Sequence, residues 1–285
     1  MNMNVVQQPA QSTPRTAGEH LFEEYLRSQG ITNFEYEKER AGKKKRPDYT
    51  VTLDREYLFD VKDFTYTDVP DGGAFDAYQR LRRKIEEVRA QFREYKEWPC
   101  CAVLYNDNAH LVDLNTPMIV LGAMYGDAGI TMQFDTRTGR IIEGSEREEF
   151  LSGGKMLLRG RQGKTAQVRN TTISALITLR HVRTGYARLC KDLSDRKQQP
   201  DFDLGEWVGV ERDFDQAEEH IGVIVWENAF ARIPLPRRLF SGDYDERYGI
   251  DDEGNLRRLS AGGGVLEFEA LMGEDKSPLF SKAEG

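Results

Sequence analysis

A chain of 285 residues with 39% hydrophobic content is long and apolar enough to bury a substantial core, which excludes disorder throughout. Its three cysteines, two of them adjacent at Cys100 and Cys101, exclude a disulfide framework, and no cysteine or histidine spacing suggests zinc. The net charge of -8 excludes a surface that is basic everywhere, so any polyanion footprint must be local: residues 153–197 carry 11 Lys and Arg against 2 Asp and Glu.

Residues 1–17 are polar, proline-containing and aperiodic, which predicts a flexible tail. From Glu19 onward, Leu21, Phe22, Tyr25 and Leu26 fall at helical spacing and Gly30 sits where a C-terminal cap belongs. Phe34 and Tyr36 then alternate with glutamates, and after the basic loop AGKKKRP, Tyr49, Val51 and Leu53 alternate with polar residues, predicting two strands. A polar turn at Asp54 and Arg55 leads into YLFDVKDF, a third strand apolar enough to be central. Residues 75–97 carry a helical stripe (Phe75, Tyr78, Leu81, Ile85, Val88, Phe92, Tyr95), Pro99 stops it, and Cys100–Tyr105 reads as a buried strand parallel to its predecessor. Farther along, a helix is predicted at Met118–Met124, strands at Ile130–Phe134, Ile173–Leu179 and Ile221–Trp226, a possible helix within 205–219, and a frayed tail from Gly273. No apolar run is long enough to cross a bilayer and no secretory signal precedes the helix, so a soluble cytoplasmic protein is expected.

Chemistry concentrates at Asp48 and the pair Asp60 and Lys62. Asp48 follows Pro47 at the start of the second strand, and a hairpin turning at Asp54 and Arg55 brings Asp60 of the third strand toward it. Lys62 shares the face of Asp60 by the period of two, while Val61 and Asp63 point the other way. Paired carboxylates suit a hard divalent cation, the main-chain carbonyl of Val61 could complete its shell, and an ammonium beside it could orient water or neutralise a phosphate. Asp60 and Lys62 could instead be edge charges, but they interrupt an otherwise apolar strand, where unpaired charges are costly.

Pro47-Asp48, eleven residues, then Asp60-Val61-Lys62 resembles the motif of the PD-(D/E)XK, or restriction-endonuclease-like, nuclease superfamily. The resemblance covers about a third of the chain and implies an α/β fold whose core is a helix, a three-stranded meander, a helix and a strand. That core is expected at residues 18–108, with 109–272 adding α+β elements to the same sheet and 273–285 as a tail. The resemblance implies a Mg²⁺-dependent phosphodiesterase, with Mn²⁺ able to substitute, acting on nucleic acid and on DNA in preference to RNA. Asp48, Asp60, Lys62 and Glu19 are the implied catalytic residues, and Asp48, Asp60, Val61 and Glu19 the implied metal ligands, with Glu23 in reserve. Glu19 could equally serve the positive end of its own helix. Gln91 and Tyr95 resemble the glutamine and tyrosine that a RecB-type branch carries four residues apart, with Gln79 as a rival; a surface amide and a core aromatic are the plainer reading.

Lys43, Lys44, Lys45 and Arg46 beside Asp48, and Arg159, Arg161 and Lys164 in the basic segment, are the expected phosphate contacts, against the alternative of solvated loops. The segment LLRGRQGKT hints at a phosphate-cradling loop but has Leu158 where that loop needs its first glycine. The reading from a different class is a catalytically silent subunit of a restriction, transposition or defence system that keeps the nuclease fold for binding or assembly. A homodimer or a partner subunit fits either reading.

Overall fold

The structure is a computed structural model that describes residues 15–65, 77–107, 112–126, 128–131, 134–135, 137–138, 140–142, 147–150, 154–158, 167–184, 219–250 and 256–272. The first helix, α1 (Ala17–Ser28), starts one residue before Gly18 because Thr16 and Glu19 form a reciprocal capping box. It ends in a Schellman motif: Gly30, at φ +71°, donates to the Arg27 carbonyl at 2.9 Å and Ile31 donates to the Leu26 carbonyl at 2.8 Å. Three strands follow as expected, β1 (Phe34–Tyr36), β2 (Tyr49–Thr52) and β3 (Glu56–Phe64), then α2 (Ala77–Phe92) and β4 (Cys100–Asn106). The helix expected to run to residue 97 stops at Phe92, and the chain turns, Tyr95 donating to the Phe92 carbonyl at 2.9 Å.

Beyond β4 lie α3 (Pro117–Tyr125), β5 (Ala128–Thr131), β6 (Phe134–Asp135), β7 (Arg140–Ile141), β8 (Arg147–Phe150), β9 (Leu157–Leu158) and β10 (Gln167–Val168). The single strand expected over Ile130–Phe134 is thus two, β5 pairing with β8 and β6 with β7, as residues 132 and 133 lie outside the described residues. The chain continues with β11 (Ile173–Arg183), β12 (Glu219–Glu227), β13 (Glu246–Ile250), β14 (Leu256–Ala261) and α4 (Gly263–Met272). The expected β11 and β12 both extend farther than their apolar runs, whereas β13, β14 and α4 were not expected at all. The tail from Gly273 and the helix considered within 205–219 lie outside the described residues, apart from Glu219, which opens β12.

One mixed eight-stranded sheet, in the order β1-β2-β3-β4-β11-β12-β13-β14, and four helices account for the main body among the described residues. Strand β3 is internal: β2 pairs with it antiparallel and β4 parallel, and β11 continues the parallel set. Its odd positions Tyr57, Phe59 and Val61 pack on Phe22, Tyr25 and Leu26 of α1, while its even positions Leu58 and Phe64 pack on Leu81, Ile85 and Phe92 of α2 and on α3. Burying a side chain such as Phe22 or Leu26 fully contributes ~1.5–3 kcal/mol. The sheet is therefore a layer between two cores, and Asp60 and Lys62 fall at even positions on the α2 side. Among the described residues, no helix is long and apolar enough to cross a membrane.

Candidate active site

The register of the β2–β3 hairpin decides where the carboxylates meet. Tyr49 pairs with Phe59 and Thr50 with Leu58, so the residue before β2, Asp48, comes opposite Asp60 on the same face. Strand pairing stops there, and the Val61 N–H that would continue it donates to Asp48 Oδ2 at 2.7 Å. Since the N–H and C=O of a strand residue share one edge, the Val61 carbonyl also faces the gap where β2 has ended.

Asp60 is 1% exposed, and neither of its oxygens has a hydrogen-bond partner of good geometry among the described residues. Lys62 Nζ stands 2.8 Å from Asp60 Oδ2 and 4.0 Å from Asp48 Oδ2, an ion pair that compensates one negative charge of two. Burial, then the charge of Asp60, pushes the Asp48 carboxyl up to about 7, with Lys62 and the Val61 N–H acting against the shift. Burial also raises Asp60, opposed chiefly by Lys62. Burial works against the Lys62 ammonium, but Asp60 and Asp48 outweigh it and hold its pKa above the ordinary lysine value. A buried carboxylate pair sharing one cation costs several kcal/mol to keep ionised, and a second cation would relieve that cost.

Asp60 Oδ1, without a hydrogen-bond partner among the described residues, and the negative charge left over by Lys62 fit a hard divalent ion, for which the chain offers Asp48, Asp60 and the Val61 carbonyl. Glu19 is differently placed. It lies on α1, which covers the opposite face of the sheet, and both oxygens are engaged, accepting from the Thr16 N–H at 2.7 Å and the Tyr36 hydroxyl at 3.2 Å. Burial raises its pKa, the Thr16 N–H opposes this, and the charge of Asp48 adds to the rise, so the two carboxylates sense each other. Glu23, 3% exposed, is tied to Arg15, to Arg27 at 2.7 Å and to the Tyr49 hydroxyl at 3.0 Å. Among the described residues, no three His, Cys, Asp or Glu side chains stand together as a metal-ligand group. Asp63 does not join the site: it accepts from the Gly18 N–H at 3.0 Å and the Thr16 hydroxyl at 3.1 Å, closing the N-terminus of α1. A side chain at position 18 would have to displace Asp63 Oδ1, the oxygen that helps close this end of the helix.

The basic loop is bound along much of its length to the end of α2. Lys43 donates to the Glu94 carbonyl at 2.7 Å, the Lys44 N–H to the Glu94 carboxylate at 3.3 Å, and Arg46 pairs with Glu39 at 2.6 Å. Lys45 is exposed, and its charge acts on Asp60. Gln91 and Tyr95 do come together, though their polar groups meet the loop: the Gln91 amide donates to the Arg46 carbonyl and the Tyr95 hydroxyl to the Lys45 carbonyl. Gln79, the rival glutamine, is exposed near the start of α2. Arg159, Arg161 and Lys164 lie outside the described residues. Other cations of the basic segment are compensated, Lys155 by Glu86 at 3.3 Å, Arg180 by Glu246 at 2.7 Å and Arg183 by Glu219 at 2.9 Å.

Sequence reasoning missed Glu87, whose charge acts on Lys62 and which pairs with Lys84 at 3.2 Å. The signal was present, since Glu87 lies four residues before Gln91 and so on the same helix face. The adjacent cysteines point to opposite cores, and burial raises both thiols, Cys101 to about 12, which removes them as nucleophiles. Comparison with protein-family models found no match, and neither the curated proteins nor the solved structures yielded one.

Proposed function

We propose that the chain is a divalent-metal-dependent nuclease of the PD-(D/E)XK type that hydrolyses phosphodiester bonds, with DNA as its expected substrate. The observation that carries this reading is Asp60: a fully buried carboxylate opposite Asp48, whose Oδ1 has no hydrogen-bond partner among the described residues and whose one counter-ion, Lys62, is shared with Asp48. Lys62 compensates one negative charge of the two, and a purely structural pair at that depth would be fully compensated or replaced by apolar residues, because the remaining buried charge costs stability. The order α1, β1, β2, β3, α2, β4 supports a restriction-endonuclease-like core, since it runs helix, meander, helix and parallel strand around these residues.

Asp48, Asp60 and the Val61 carbonyl would hold the ion, which when bound acidifies a water and neutralises charge developing on the phosphoryl oxygens. Lys62, whose ammonium the flanking carboxylates favour, presents a cation to the scissile phosphate. Lys45 offers a second cation beside the site for the incoming backbone.

The test incubates the chain and its Asp60→Ala and Lys62→Ala variants with labelled linear, circular, single-stranded and RNA substrates in Mg²⁺, Mn²⁺ and EDTA. Cleavage confined to metal and nearly abolished in each variant is expected, and the double variant should be no worse than either single, because the residues act as a unit. Full activity in Asp60→Ala would exclude this site. Nucleic-acid binding without cleavage in any metal would leave the silent-subunit alternative.

A further inference from the structure

We infer that Gln91 and Tyr95 are positioning residues, which hold the backbone of Lys45 and Arg46 and thereby set the Asp48 carboxylate opposite Asp60, and that they do not contact the substrate. The inference rests on the metal-site reading above. Its basis is a pair of hydrogen bonds from one corner of the fold: the Gln91 amide donates to the Arg46 carbonyl and the Tyr95 hydroxyl to the Lys45 carbonyl. Tyr95 is fully buried among Phe92, Trp98 and the α2 core, so its ring is a rigid mount for the hydroxyl. Two further bonds, from Lys43 Nζ to the Glu94 carbonyl at 2.7 Å and from the Lys44 N–H to the Glu94 carboxylate at 3.3 Å, tie the same loop to the same turn.

Covalent geometry carries this anchoring to the site. Between the Arg46 carbonyl and Asp48 stands one residue, Pro47, whose ring fixes φ and restricts Arg46 to extended backbone. On its other side Asp48 is already fixed, since its carbonyl accepts from the Glu37 N–H at 2.8 Å and Tyr49 is in register with Phe59 and Tyr36. What the sheet leaves free is the direction from which the chain enters Asp48. That direction decides whether its side chain reaches the Val61 N–H, as it does at 2.7 Å, or swings away from Asp60. Each residue commits a donor to a loop carbonyl, which turns both polar ends toward the backbone before Asp48.

The experiment compares Tyr95→Phe, which removes one oxygen and keeps the ring, with Gln91→Met, which keeps the length and removes the donor without adding charge. Mn²⁺ binding is measured by calorimetry without nucleic acid, and binding of a labelled duplex by anisotropy in EDTA. Mn²⁺ affinity should fall about tenfold in each variant, the lower end of what loss of a ligand-orienting partner costs. Duplex affinity in EDTA should stay as in the wild type. In an Asp48→Asn background, Tyr95→Phe should cause no further loss of Mn²⁺ affinity, because the two then act through one group. A purely structural role would lower the melting temperature and leave Mn²⁺ affinity unchanged, which would overturn the inference, as would weakened duplex binding with unchanged Mn²⁺ affinity. Absence of Mn²⁺ binding by the wild-type chain would overturn the metal reading, and this inference with it; unchanged affinity in variants of a chain that binds Mn²⁺ overturns this inference alone.

Discussion

Replacing Asp60 with asparagine should make the metal-free protein more stable at pH 8, the opposite of what removing half of an ordinary buried ion pair does. The magnitude follows from Asp48, whose carboxyl stands at about 7 against an ordinary 3.8 because of burial and the charge of Asp60. A shift of roughly three units corresponds to ~4 kcal/mol of disfavoured ionisation, an upper limit. Burial, the larger cause, stays in the variant, so relief of at most ~2 kcal/mol is expected from the isosteric amide, which removes the like charge and can donate to Asp48. The sign with pH is fixed. A carboxyl raised in the folded state contributes stability that is fully present below its unfolded pKa and is lost as pH rises through the folded value. The wild type therefore loses this contribution between about pH 4 and pH 7, and the advantage of Asp60→Asn should be small at pH 5 and full at pH 8. Melting in EDTA should then show the variant up to ~3 °C higher at pH 8. Mg²⁺ should reverse the order by stabilising the wild type alone, ~2.7 kcal/mol at a hundredfold excess over its dissociation constant. A variant less stable than wild type at pH 8 in EDTA, or an advantage that does not shrink toward pH 5, would refute the reasoning.

Glu19→Gln should keep both the melting temperature and the Mn²⁺ affinity, because glutamine also completes a capping box, while Thr16→Ala should cost ~1 kcal/mol in thermal unfolding; weakened Mn²⁺ binding in Glu19→Gln would return that residue to the metal shell. In the basic loop, Lys45→Ala should flatten the logarithmic salt dependence of nucleic-acid binding by about one unit, whereas Lys43→Ala, whose ammonium is occupied by the Glu94 carbonyl, should leave it nearly unchanged; equal slopes in the two variants would deny Lys45 a separate phosphate contact.

The sequence by itself determined the elements that carry their own period or punctuation. The helical spacing of Leu21, Phe22, Tyr25 and Leu26, closed by Gly30, gave α1, and the alternation of Tyr49 with Val51 gave β2. It also marked Asp60 and Lys62, because charges in an apolar strand need a reason. Strands β13 and β14 were not legible: ERYGI and LRRLSA have no clean alternation, and they are strands because the edge of β12 offers them backbone partners. Tertiary structure alone decided what each acid does. Glu19 looks in sequence as able to bind a metal as Asp60, yet packing of α1 leaves it at the N-terminus of its helix, which Asp63 closes from the other face of β3, while the register of β2 on β3 turns Asp60 toward Asp48. Tertiary structure likewise set Gln91 and Tyr95 against the loop, some forty-five to fifty residues away in the chain. The physical reason is that periodicity reports which face of its own element a residue occupies, whereas a site depends on which faces of different elements come to oppose one another.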